Sequence, residues 1–170
     1  IMPLLKNNSK IELFKTGVSE KGKEIPVLKI GKGSKKVLAW SQMHGNESTT
    51  TKAVFDFLSC IDQKEVFQKE INTFIESYSV YLIPILNPDG AEAYTRENAN
   101  GVDLNRDAKA LTQKESKLLR ELFTEIKPDL CLNLHDQRTI YGLETGNPAT
   151  VSFLSPSANI DRTVTDARKI

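Results

Sequence analysis

Three short apolar runs, set apart by stretches with helical periodicity, constrain the fold of this chain more than anything else. Val37 to Met43, Val80 to Leu86 and Asp129 to Leu134 have the length of strands, and hydrophobic residues stand at successive positions within them. Neighbouring side chains of a strand point to opposite faces, so runs of this kind are covered on both sides. Between the first two, Val54, Phe57, Leu58 and Ile61 recur at helical spacing, and Phe67, Ile71, Phe74 and Ile75 suggest a second, shorter helix. Before the third run, Leu118, Leu119, Leu122, Phe123 and Ile126 form another apolar stripe. Thr112 with Glu115 predicts a capping box at its start, and Pro128 stops it. Upstream, Ile11 to Val18 and Glu24 to Ile30 flank Ser19 to Lys23 as a predicted hairpin. Strands alternating with helices imply an α/β fold, a three-layer sandwich around a mixed, partly parallel sheet.

The 170 residues suit one domain spanning 1–170. Lys plus Arg (23) nearly balances Asp plus Glu (22), leaving +1, with no basic stripe to attract nucleic acid. The apolar runs are too short to span a bilayer, so no membrane partner is expected. Two cysteines, Cys60 and Cys131, are too few for a disulfide framework, and Cys131 is expected to sit in its strand as a small hydrophobe. A reducing, cytoplasmic setting follows as the expectation.

In open α/β sheets ligands gather at the carboxyl ends of the strands. The chain has two histidines, and each falls at such an end: His44 directly after Met43, His135 directly after Leu134. Glu47 follows His44 by one turn, so the two can face the same side. Gly45 between them is expected to keep the approach to an ion uncrowded. Two imidazoles and one carboxylate leave the fourth zinc position open, which is the pattern of a catalytic ion. Singly, each signal is bland. A His-x-x-Glu arises by chance, and a strand-end histidine is often a surface residue.

Around these residues stand His-Gly-Asn-Glu (44–47), Asn-Pro-Asp-Gly (87–90), Arg96, Gly-Val-Asp-Leu-Asn-Arg (101–106) and Leu-His (134–135). In order and spacing they resemble the zinc carboxypeptidase family, the relatives of carboxypeptidases A and B, from Val37 to about Gln137. The resemblance implies one zinc ion held by His44, Glu47 and His135. Asp103 then accepts a hydrogen bond from the outer nitrogen of His44, as partners of ligand imidazoles do. Arg96 stabilises the developing oxyanion, and Asn105 with Arg106 holds the terminal carboxylate of a peptide or small peptide-like substrate. Asn87 to Gly90 shapes the loop carrying Arg96. A non-proline cis peptide is implied at Asp136-Gln137.

The chain also departs from the pattern. The family's downstream glutamate, which activates water, has no match after His135: Glu144 comes too soon, and Asp161 and Asp166 look like surface acids. Asp107 replaces the usual asparagine, and Asp136-Gln137 replaces a small-then-aromatic pair. The expectation is therefore the N-terminal portion of a carboxypeptidase-like catalytic domain, inactive by itself, with an exposed sheet edge open to self-association. The other readings are an N-acyl amino acid deacylase of the aspartoacylase-like type and a non-catalytic zinc-binding module.

Overall fold

The computed structural model describes residues 10–62 and 67–136. The strands β1 (Ile11–Val18), β2 (Glu24–Ile30) and β3 (Lys35–Ser41) come first, followed by helices α1 (Thr49–Asp62) and α2 (Gln68–Ser77). Strand β4 (Tyr78–Ile83) then leads to two short helices, α3 (Pro88–Ala93) and α4 (Leu104–Asp107). Helix α5 (Lys114–Ile126) and strand β5 (Leu130–Leu134) complete the described part.

The five strands form one sheet in the order β1-β2-β4-β3-β5. β1, β2 and β4 pair antiparallel, whereas β3 runs parallel to both β4 and β5. Alternation along each strand builds two cores. Ile25, Val27, Leu38, Tyr81 and Ile83 face one side, where Leu118, Leu122 and Ile126 of α5 cover them. Leu28, Ile30, Val37, Ala39, Val80 and Leu82 face the other, against Val54, Leu58 and Ile61 of α1. The result is the expected three-layer sandwich on a mixed sheet.

Several local expectations need correcting. Phe67 lies outside the buried stripe of α2; it precedes the helix with φ 56° and is 65% exposed. Val54, Leu58 and Ile61 carry the inward face of α1, and Leu118, Leu122 and Ile126 that of α5, while Phe57 and Phe123 lie at the margins, exposed. Thr112 and Glu115 make no capping box. The first residue outside α5 is Gln113, without a side-chain cap. The Asp107 carboxylate takes the Thr112 hydroxyl at 2.7 Å, and Glu115 is buried, accepting from the Glu20 backbone and Asn98. Both side chains are thus engaged in longer-range bonds. Asn87 to Gly90 is more than a turn: Asn87 caps α3 by accepting from Gly90 N at 2.9 Å, with Pro88 at the first helical position. β5 pairs with β3 alone among the described residues, and Leu130, Cys131 and Leu132 are exposed; Cys131 does lie in the strand as expected, but its thiol side is open.

The proposed cis bond at Asp136-Gln137, Glu144, and the acids at 161 and 166 fall outside the described residues. Among the described residues no helix is long and apolar enough to cross a membrane.

Candidate metal centre

The parallel pairing of β3 and β5 decides where the two histidines go. Ser41 stands opposite Leu134 in the register, so both strands deliver their next residues to the same edge of the sheet. Past Ser41 the chain turns sharply. Gln42 adopts φ 51°, and its buried side chain donates to Gly45 O at 2.7 Å while accepting from the Thr51 hydroxyl at 2.9 Å. A non-glycine residue in the left-handed region is strained, and strain of this kind is held only where the surroundings fix it.

A second support comes from Asn87. Its amide donates to Met43 O at 3.2 Å and to Glu97 O at 3.1 Å. One buried side chain therefore joins the residue before His44 to the residue after Arg96. Gly45 packs directly on Gly90: a Cβ there would lie 2.0 Å from the Gly90 carbonyl carbon. The expectation that Gly45 keeps an ion's approach clear is thus replaced by a closer cause, contact between two backbones.

His44, Glu47 and His135 meet at this edge. Each offers a ligand atom, and all of those atoms lie within 4.8 Å of one another. His44 Nδ1 is 2.9 Å from Glu47 Oε1, and His135 Nδ1 is 2.7 Å from Glu47 Oε2. The ring centroids of the histidines are 4.7 Å apart. His44 is 2% exposed and Glu47 9%, so a carboxylate is held among imidazoles almost out of water. Burial works to raise the Glu47 pKa, but hydrogen bonds with His135 and His44 outweigh it and bring it below the ordinary value. The carboxylate is kept in the ionised form that a cation needs.

His44 Nε2 lies 3.1 Å from Asp103 Oδ1. The Asp103 carboxyl is also held below its usual range: burial opposes this, and bonds from Asn105 N–H, His44 and Arg96 prevail. Arg96 is not merely solvated. Its Nε and Nη2 reach Asp103 Oδ2 at 3.1 and 3.0 Å, and Nη1 stands 3.6 Å from Glu47 Oε1. Asn105 is half-buried beside Asp103 and lines a cleft of about 340 Å³ with Trp40, Met43 and Asn133. Arg106 is exposed, and its side chain makes no ion pair among the described residues. The structure therefore brings together five of the seven residues singled out (His44, Glu47, Arg96, Asp103 and His135), sets Asn105 at their border and leaves the Arg106 side chain without an ion pair among the described residues.

Comparison with known proteins gives this arrangement its context. Residues 4–128 match the zinc carboxypeptidase family. The chain belongs to that family. The carboxypeptidase match includes His44, Glu47, Arg96, Asp103, Asn105 and Arg106 and stops short of His135. Among relatives, the probable carboxypeptidase 2 of Arthroderma benhamiae is 27% identical over 128 residues, 69% of this chain and 24% of that protein. Carboxypeptidase M of Mus musculus is 28% identical over 174 residues, 88% of this chain and 39% of that protein. The chain thus spans well under half the length of these carboxypeptidases. Among solved structures, a metallo-carboxypeptidase from Pseudomonas aeruginosa, in complex with (2-guanidinoethylmercapto)succinic acid, shares the fold with a TM-score of 0.73. It is 24% identical, with 80% of this chain and 38% of that chain covered.

Sequence reasoning overlooks two residues that shape the centre. Gln42 leaves no pattern to find, because its left-handed backbone is set by tertiary bonds. Asp136 stands out in the sequence only as a departure from the family, yet its carboxylate reaches the start of α1.

Proposed function

We propose that this chain forms the metal-holding part of a zinc-dependent carboxypeptidase, acting on peptides or small peptide-like amides that end in a free carboxylate. The observation that carries the reading is the convergence of His44, Glu47 and His135, from two parallel strand ends and one helix entry, within 4.8 Å. Two nitrogens and one carboxylate fit a single zinc ion with a coordination position left open. When bound, the zinc supplies Lewis-acid polarisation of an amide carbonyl and activation of water.

The chain's own residues supply the rest. Glu47 stays ionised, as a ligand must. Asp103 fixes the ring of His44 by holding its Nε2, which leaves Nδ1 for the ion. Arg96, tethered by Asp103, presents a guanidinium beside the ligands where negative charge develops on the carbonyl oxygen. Asn105 and Arg106, on the helix turn that follows Asp103, receive the substrate's carboxylate; the Arg106 fork, without an ion pair among the described residues, suits bidentate binding.

Titrating the chain with zinc and then with a matched peptide pair tests this. One ion per chain is expected, with His135→Ala weakening binding at least ~100-fold. The zinc-loaded chain should bind an N-acylated dipeptide with a free C-terminus at least ~10-fold more tightly than its amide, and Arg106→Ala should remove that preference. No zinc uptake, or equal binding of the two peptides, overturns the reading.

A further inference from the structure

We propose that Asp136 is a positioning residue for the metal centre: its carboxylate clips the end of β5 to the start of α1 and so sets the distance between His135 and Glu47. This inference rests on the reading of His44, Glu47 and His135 as the ligands.

The two ligands concerned have little else in common. Glu47 sits just ahead of α1, and His135 just beyond β5, a strand paired on one side only among the described residues. The side chains at 130 to 133 are exposed, and within β5 only Leu134 packs against the core beneath α1. Beyond that contact and the ladder with β3, a set of bonds to one place secures it. Asp136 Oδ1 accepts from Thr49 N at 2.9 Å and Thr50 N at 3.2 Å, and Oδ2 lies 3.1 Å from Thr49 N. The Thr50 hydroxyl donates to Leu134 O at 3.3 Å, and Asp136 N donates to Glu47 Oε2 at 3.3 Å.

The chemistry favours this pairing. The first amides of a helix have no partner within it, and the helix dipole makes its N-terminus attractive to a negative charge. An N-cap from within the local sequence would satisfy those amides and leave His135 untethered. Here the cap comes from a residue 87 positions away, adjacent to a ligand. One bond set therefore both caps the start of the helix and fixes the ligand spacing. Partners of metal ligands of this kind typically change metal affinity by ~10–100-fold.

The test compares zinc affinity and the visible spectrum of the cobalt-substituted chain in wild type, Asp136→Ala, Asp136→Asn and Ile126→Ala. Ile126 is buried at the far edge of the sheet, where its carbonyl accepts from Lys36, so this variant lowers stability without touching the centre. Expected is a loss of at least ~10-fold in zinc affinity and an altered cobalt spectrum for Asp136→Ala. Asp136→Asn, which keeps one acceptor oxygen, should recover part of that affinity. Ile126→Ala should bind as wild type does. Wild-type affinity and spectrum in Asp136→Ala overturn the positioning role, as does equal weakening by Ile126→Ala. Should Asp136→Ala fail to fold, Asp136→Asn decides alone: an unchanged affinity and spectrum overturn the role, and a partial loss supports it. If wild type itself takes up no zinc, the ligand assignment falls first.

Discussion

Replacing Asp107 by asparagine should reveal a carboxylate that stabilises the fold next to the centre. Asp107 is 4% exposed, and its oxygens accept from Thr112 N (3.0 Å), the Thr112 hydroxyl (2.7 Å) and Gln113 N (2.9 Å). Burial alone would raise its pKa, but these bonds prevail and lower it from 3.8 to about 2. That drop corresponds to about 2.4 kcal/mol favouring the ionised native state at neutral pH. Because the folded value lies below the unfolded one, the unfolded chain takes up the proton first as pH falls. The stabilisation is complete well above pH 4 and is lost as pH falls through about 2. At pH 3 about 1.3 kcal/mol of it remains by the same linkage. Asparagine does not titrate and nearly matches the protonated acid in shape. The stability gap between wild type and Asp107→Asn should therefore be about 2.4 kcal/mol at pH 7 and about half that at pH 3. Urea unfolding at both pH values, followed through the single tryptophan Trp40, measures it. Other carboxylates titrate alike in both proteins and cancel. A gap of equal size at pH 7 and pH 3 would refute the assignment.

Two further substitutions probe the supports of the ligand loop. Gly45→Ala places a methyl group 2.0 Å from the Gly90 carbonyl carbon, so it should destabilise the chain by about 3 kcal/mol, read as a lowered thermal midpoint. A near-wild-type melt would show that the two backbones are not in contact. Asn87→Ala leaves the carbonyls of Met43 and Glu97 without their donor and α3 without its cap, so a loss of roughly 2–4 kcal/mol is expected in urea unfolding. A loss below about 1 kcal/mol would place the loop's support elsewhere.

Most of the sheet was legible because its strands are covered on two faces. Val37 to Ala39 and Val80 to Ile83 are apolar at consecutive positions, a pattern that neither a half-exposed strand nor an amphipathic helix produces. The meeting of His44, Glu47 and His135 was legible for a related reason. With so few histidines, two that each end a strand point to one edge when those strands run parallel. What escaped was decided by distant partners. Thr112 and Glu115 have the letters of a capping box, but Asp107 and Asn98 compete for them. β5, like β3, is largely apolar, yet among the described residues it has one neighbour instead of two, a matter of topology that composition does not encode. Asp136 looks like any loop acid until α1 and β5 are placed side by side.

On the proposed ligand set, the parallel contact between β3 and β5 also makes a complete grip on the metal depend on the outer strand. One imidazole follows each strand, and the intervening segment includes five helices and β4. Local collapse around α1 can present His44 with Glu47 early, but that pair has no second nitrogen until β5 docks. An ion gripped by all three groups would therefore need β5 in place, and its retention would distinguish a finished molecule from a compact one whose outer strand has not joined.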